Sequence, residues 1–325
     1  MLPSVSVIVP AYNAQQTIGA CVTAILHNDY AGRMELWVVD DASTDNTAEL
    51  ARQAGATVLS GGKLHRTGAR NLGARHATGE ILLFTDSDCV PHPDWVTQMV
   101  AKFVADPQVM GVKGVYTCQQ SHPIARFTQI ECEERYDHMA KLPEINMIDT
   151  YAAGFRRDIF LQVGGFDEGL AILEDQDLSF RLAAQGLRMV FAPAAKVQHT
   201  HLTHAWRYAR RKFHFAEWKP TILRRYPNRL WSDSRAPQYM KLQMLLAWAW
   251  LAPLGVGLCY APALWGVLLV GVAFVLSSVP FLARTVRRDP AILPIVLPML
   301  WVRAASLMAG MVKGMAASDG AMRHH

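Results

Sequence analysis

The chain has 325 residues, 51% of them hydrophobic, and a formal charge of +5 at neutral pH. That length accommodates two domains or one domain with a membrane region, and so small a positive excess argues against a nucleic-acid groove. Five cysteines, odd in number and with no Cys-x-x-Cys pair, fit a reducing compartment and offer no zinc site.

Met1-Leu2-Pro3-Ser4 leads directly into a strand pattern, as expected of a chain without a signal peptide. Val5 to Val9 is a β-branched run ended by Pro10, the expected first strand of a parallel sheet. Ala11-Tyr12-Asn13 follows as a loop, and Asn13 is expected to cap a helix carrying Ile18, Val22, Ile25 and Leu26 at helical spacing. Leu36 to Val39 reads as a second strand, closed by Asp40-Asp41-Ala42-Ser43-Thr44-Asp45. Ser43 or Thr44 is expected to cap the next helix, through Leu50 and Ala51, and Gly55 to end it. Val58-Leu59 gives a third strand, Arg66 to His76 a helix stopped near Gly79, and Ile81 to Thr85 a fourth strand. Strands alternating with helices predict an α/β fold with an open, doubly wound, mostly parallel sheet. Ligands bind such sheets outside the carboxyl ends of the strands. The loops bearing Tyr12, Asp41 and the Asp86/Asp88 pair all follow such ends.

Leu82-Leu83-Phe84-Thr85-Asp86-Ser87-Asp88 runs a buried strand into two carboxylates one residue apart. Two hard oxygen ligands turned toward one point suit Mg²⁺ or Mn²⁺ on a substrate phosphate; the alternative is a loop whose aspartates cap the helix beginning near Pro93. No Gly-x-Gly-x-x-Gly follows the first strand and no Gly-Lys-Ser/Thr loop is present, which argues against a nicotinamide or flavin dehydrogenase. Lys63, Arg66 and Arg70 are left as phosphate-binding candidates, or as a solvated helix face.

Further on, Val96, Met99, Val100 and Phe103 mark a helix with a core face, and Val109 to Tyr116 another strand. Ile124 to Lys141 is rich in acids (Glu131, Glu133, Glu134, Asp137) expected to be mostly solvated. Ala153-Gly154-Phe155 and Gly164-Gly165-Phe166 allow close approach to a ligand or tight turns. Glu174-Asp175-Gln176-Asp177 opens a helix that Gly186 ends, with Asp177 and Arg181 as an i,i+4 pair. The macrodipole alone justifies carboxylates there. His199-Thr200-His201 is a dense histidine group, and His199 or His201 could ligate a metal beside Asp88 or serve structurally.

Val5 to Asn13, Val38 to Asp45, Ala69-Arg70-Asn71 with Gly79-Glu80, and Thr85-Asp86-Ser87-Asp88 together resemble the family-2 inverting glycosyltransferases, in order and spacing, across roughly the first two-thirds of the chain. The resemblance implies a GT-A fold binding a nucleotide-diphosphate sugar and a divalent metal. It implies that Tyr12 lies against the base and Asp41 accepts a hydrogen bond from it. Asp86 would lie near the nucleoside, with Asp88 on the metal. Glu174-Asp175 resembles the acid-base element, with Asp175 as the base that takes the acceptor proton in a direct displacement. The Gln-x-x-Arg-Trp element of processive members is absent; the corresponding neighbourhood reads Arg207-Tyr208-Ala209-Arg210-Arg211-Lys212-Phe213. Transfer of a single sugar to a lipid-linked or other glycolipid acceptor is therefore expected. A nucleotidyltransferase and a catalytically inert membrane-bound scaffold are the competing readings.

From Met240 onward only Asp289 and Asp319 are acidic. Leu242 to Leu282 is about twice the roughly 20 apolar residues that span a bilayer. It reads as two antiparallel helices near 242–261 and 263–283, turning at Tyr260-Ala261-Pro262. Lys241 before them and Arg284, Arg287 and Arg288 after them predict both ends on the cytoplasmic side. Ile292 to Val312 contains Pro294, Pro298 and Arg303, and a central arginine costs roughly 2.5–3.5 kcal/mol on insertion scales, so 291–316 is a third span or an interfacial helix. Arg207, Arg210, Arg211, Lys212, Arg224, Arg225 and Arg229 suit an anionic bilayer face. The expected organisation is a catalytic domain over 1–215, a basic connector over 216–241, the hairpin over 242–283 and the last helix over 291–316. The catalytic domain of this multi-pass inner-membrane protein would face the cytoplasm.

Overall fold

The computed structural model describes residues 1–227 and 238–317; Arg229, one of the expected basic cluster, lies outside them. The chain divides into two units, 1–119 with 138–200, and 120–137 with 201–324.

In the first unit the elements follow in order: β1 (Val5–Ala11), α1 (Ile18–Leu26), β2 (Met34–Asp40), α2 (Thr47–Gln53), β3 (Thr57–Ser60), α3 (His65–His76), β4 (Ile81–Phe84), β5 (Cys89–Pro91), α4 (Trp95–Ala105) and β6 (Val109–Thr117). Helix α5 (Pro123–Met139) belongs mostly to the second unit, after which come β7 (Ala153–Arg156), α6 (Arg157–Gln162), α7 (Glu174–Ala184) and β8 (Arg188–His199). The strands form one mixed sheet in the order β3-β2-β1-β4-β7-β6-β8-β5. β1 pairs parallel with β2 and β4, while β7 runs antiparallel to β4 and β6. Every residue of β1 and β4 is buried, as continuous apolar runs between helical layers require. Ile18, Val22 and Ile25 of α1, and Val96, Met99, Val100 and Phe103 of α4, form the expected core faces.

Pro10 does not end the first strand. It pairs with Val39 of β2, but β4 stops opposite Ile8, so the absent N–H faces a side with no partner strand. The expected caps also differ. Helix α2 is held by Asp45, whose carboxylate accepts the Thr47 N–H at 3.0 Å and the Thr47 hydroxyl, not by Ser43 or Thr44. Asn13 caps no helix and instead crosses to the β2 loop. Gly55 and Gly186 adopt φ of +100° and +70° just past α2 and α7, the left-handed stop read from the sequence.

The second unit comprises α5 with α8 (Ala205–Glu217), α9 (Lys219–Arg225), α10 (Gln238–Ala249), α11 (Leu251–Gly257), α12 (Leu264–Arg288) and α13 (Leu293–Ala316). Among the described residues two helices are long and apolar enough to cross a membrane, Ala261–Arg288 and Pro290–Ala316. The stretch preceding them is divided into α10 and α11, and the chain turns at Ala261–Ala263, where Tyr260-Ala261-Pro262 predicts it. Leu245, Leu258, Trp265 and Leu269 leave large apolar surface exposed on these helices.

Arg303, the charge that interrupts the last apolar run, is buried. Its guanidinium donates to Glu131 Oε1 at 3.2 Å and to Gln243 Oε1 at 2.8 Å. Glu131 also accepts from the Tyr208 hydroxyl at 2.8 Å and from Lys212 Nζ at 3.1 Å. Arg284 reaches Glu134 at 2.8 Å and Asp137 at 3.1 Å, and Arg288 reaches Glu133 at 2.7 Å. The α5 acids, expected to be solvated, are therefore the counter-charges of arginines on apolar helices; Glu131 and Glu134 are buried. An arginine carried by an apolar helix needs such a partner, and a buried charge left without one is strongly destabilising.

Burial raises the Glu131 carboxyl, but Lys212, Arg303, Arg135 and the Tyr208 hydroxyl outweigh it and bring it from 4.5 down to about 2. A carboxyl lowered on folding contributes stability above its unfolded pKa and loses it as pH falls through the folded value. The stability difference between wild type and Glu131→Gln, read from thermal unfolding in detergent, is expected to be full above pH 4.5 and to shrink toward pH 2.

Candidate functional site

Strand order reverses at β1: β2 and β3 lie on one side of it and β4 on the other. The crevice at such a reversal, beyond the carboxyl ends, is where open α/β sheets bind ligands. Three loops meet there. Tyr12 follows β1 directly, Asp41 follows β2 directly, and Asp86 lies two residues beyond β4.

The first two loops are tied together by the residues that failed to cap helices. Asn13 sits at φ +48°; its N–H donates to Ser43 Oγ at 2.9 Å, and its Oδ1 accepts the Thr44 N–H at 2.9 Å. The Ala14 N–H donates to Thr47 Oγ1 at 2.7 Å, and the Asp41 N–H to the Ala11 carbonyl at 2.8 Å. Asp41 is buried and accepts the Leu64 N–H, which draws in the chain entering α3. Tyr12 stays 60% exposed on this fixed frame, an aromatic face presented to solvent.

Arg70 does not lie on a solvated helix face. It is fully buried on α3, with Nη1 2.7 Å from Glu174 Oε1 and Nη2 2.7 Å from Asp86 Oδ1, and its guanidinium carbon 5.9 Å from the centre of the Phe166 ring. Burial alone lowers the Arg70 pKa; the charges of Asp86, Glu174 and Asp175 outweigh it and raise it. One planar fork thus joins the loop after β4 to the first turn of α7.

That first turn holds Glu174, Asp175 and Asp177, which favour the positive end of the helix. Asp175 is half-buried, and its Oδ1 accepts the Gln176 N–H at 2.7 Å. The expected Asp177–Arg181 pair forms at 2.8 Å, and Arg181 continues to the carbonyls of Val163 and Gly165. Gly164 and Gly165 make the tight turn those bonds brace, at φ +85° and +65°. Gly154 serves packing rather than ligand approach: a Cβ there would lie 2.8 Å from Leu83 Cδ2 inside the core.

Asp88 is 50% exposed, with Oδ2 3.5 Å from His199 Nε2. Antiparallel pairing of Cys89 with His199 brings the last residue of β8 beside the Asp86/Asp88 loop. Partial desolvation raises the Asp88 carboxyl, but the hydrogen bond and charge of His199, with help from Arg66, hold it below its usual range. Asp86, Asp88 and Cys89 bring ligand atoms within 4.8 Å of one another. Burial and the neighbouring carboxylates push the Cys89 thiol well up, so it stays neutral. The donors left are two carboxylates and an imidazole, which fit a divalent cation of the Mg²⁺ or Mn²⁺ type rather than a thiolate-seeking metal. Lys63 and Arg66 are exposed. His201 lies in the second unit, where its ring bonds to Gln129 at 3.0 Å.

Behind His199 is a group that sequence reasoning missed. Tyr116 stacks on His199 and on Tyr151, and the Tyr151 hydroxyl meets Lys113, which is paired with Asp149. A lysine inside the apolar strand run Val109 to Tyr116 is the signal that would have found it.

Comparison with known proteins now decides the family. The family described as Glycosyl transferase family 2 matches residues 6–164. That match identifies residues 6–164 as a glycosyl transferase family 2 domain. Glycosyltransferase AglE of Haloferax volcanii is 29% identical over 203 residues, covering 59% of this chain and 65% of AglE. The pre-mycofactocin glycosyltransferase of Mycobacterium tuberculosis is 29% identical over 196 residues, covering 58% of this chain and 40% of its own length. The chain thus spans less than two-thirds of either relative. A mannosyltransferase from Pyrobaculum calidifontis, solved with GDP-Man and Mn²⁺, has the same fold at a TM-score of 0.60 and 23% identity, covering 97% of this chain and 88% of that one. The family 2 domain therefore has the GT-A fold.

In this domain the Arg70 fork is the most exposed to test. Arg70→Ala leaves Glu174 buried without its partner and is expected to cost about 3–5 kcal/mol in denaturant unfolding. Arg70→Lys, with one point charge in place of a fork, is expected to fall between wild type and alanine.

Proposed function

We propose that the protein is a membrane-anchored inverting glycosyltransferase that moves one sugar from a nucleotide-diphosphate sugar to a lipid-linked or glycolipid acceptor. The observation that supports this reading is the Arg70 fork, which joins Asp86, in the loop that also bears Asp88, to Glu174 beside Asp175. Membrane anchoring draws on the two apolar helices, Ala261–Arg288 and Pro290–Ala316. The arginines after the first of them favour ends on the cytoplasmic face of an inner membrane, with the catalytic domain on that side.

Tyr12 offers its exposed ring to the base, and Asp41, fixed by Leu64, accepts the ring N–H. Asp86, held by Arg70, faces the nucleoside. Asp88 and His199 would hold a divalent ion, Mg²⁺ or Mn²⁺; the Pyrobaculum mannosyltransferase was solved with Mn²⁺, which supports an ion of this type. When bound, such an ion neutralises charge on the departing nucleoside diphosphate. Asp175 takes the proton of the acceptor hydroxyl as its oxygen attacks the anomeric carbon and the bond to the diphosphate breaks. Glu174 and Arg70 hold the first turn of α7 so that Asp175 faces this point. No covalent nucleophile takes part, and the anomeric configuration inverts.

Asp175→Asn keeps shape and removes the base. Transfer from the accepted donor is expected to fall about 10²–10⁴-fold with donor binding preserved. Turnover by the asparagine variant at the wild-type rate would remove Asp175 from this role.

A further inference from the structure

We infer that Tyr116 is a positioning residue for His199: a column of stacked rings, pinned at its buried end by Lys113, sets the imidazole against Asp88. The inference rests on the proposed reading of His199 as a metal ligand, and it assigns residues that reading does not use.

His199 ends β8 and pairs there with the three-residue strand β5, so the backbone alone holds its ring weakly. Tyr116 of β6 pairs with Val197, two residues before His199, and side chains two apart share a face of the sheet. The Tyr116 ring therefore reaches diagonally to the imidazole, with centroids 4.4 Å apart and planes 26° apart. Behind Tyr116 lies Tyr151, with centroids 3.5 Å apart and planes 16° apart. A near-parallel stack with centroids this close leaves little of the lateral offset that aromatic quadrupoles favour, so a contact outside the rings holds it. Lys113 Nζ does so, donating to the Tyr151 hydroxyl at 2.8 Å while 2.5 Å from Asp149 Oδ2. The Tyr151 carbonyl accepts the Thr85 hydroxyl at 2.8 Å, and Thr85 immediately precedes Asp86. The column thus grips the Asp86/Asp88 loop from behind and His199 from beside it.

Ordinary core packing does not explain this set. A buried lysine–aspartate pair gains little over apolar side chains of similar volume. The column also leads from the interior to solvent, from Lys113 at 0% exposure through Tyr151 at 8% and Tyr116 and His199 at 7% each to Asp88, whose side chain is 50% exposed. It delivers a fixed imidazole to the solvated environment of an exposed carboxylate.

The test is Mn²⁺ binding to the purified full chain, by titration and by electron spin echo, which detects an imidazole nitrogen on the ion. Tyr116→Leu is expected to weaken Mn²⁺ binding about 10–100-fold, the usual effect of removing a partner behind a ligand, and to lose the nitrogen signal. Tyr116→Phe keeps the ring and is expected to keep both. Tyr116→Met, whose flexible side chain fills the same space, takes the place of leucine if that variant does not fold. A folded leucine or methionine variant with wild-type affinity and nitrogen signal would overturn the positioning role. Unchanged Mn²⁺ binding in both Asp88→Ala and His199→Ala would instead overturn the metal reading beneath it.

Discussion

A guanidinium without solvent contact holds this site together. Arg70 lies in the interior of the first unit and must find its counter-charges there, and it finds two, on elements far apart in the chain: Asp86 after β4 and Glu174 at the start of α7. Both bonds are 2.7 Å, and the planar fork fixes their relative direction. Because desolvating one ion costs several kcal/mol, neither carboxylate can leave without a large penalty. The positions of Asp88 and Asp175, each one or two residues from a member of the fork, follow from that constraint.

The second unit meets the same constraint in an apolar setting. Arg303, Arg284 and Arg288 are carried on helices with long apolar runs, and α5 supplies Glu131, Glu134, Glu133 and Asp137 against them. The arginine that makes the last run costly to insert is thus already paired, to Glu131 and Gln243, within its own unit. Acids that look like a solvated helix face are matched charges.

What could be read from the sequence was what local chemistry dictates. The apolar runs of β1, β2 and β4 declare buried strands, and their ends therefore declare the loops of Tyr12, Asp41 and Asp86. Gly55, Gly186 and the Asp177–Arg181 pair were legible because each acts within one turn of chain. Partners distant in sequence were not. Asn13 has the same cap-forming chemistry whether it bonds its own helix or Thr44, and only the parallel pairing of β1 with β2 decides for Thr44. Arg70 reads as a surface residue of a polar helix until β4 and α7 close over it. The Tyr151–Tyr116–His199 column joins three separate elements, so no window of sequence contains it.

Which bond of the donor breaks decides whether this crevice transfers a sugar by direct displacement. The most direct measurement is ³¹P and ¹H NMR of the products formed when the membrane-reconstituted protein meets a panel of nucleotide sugars with Mn²⁺ or Mg²⁺ and a lipid acceptor. The predicted result is one nucleoside diphosphate for each sugar transferred, with the anomeric configuration of the product opposite to that of the donor. Cleavage to a nucleoside monophosphate and sugar phosphate, or retention of configuration, would contradict it.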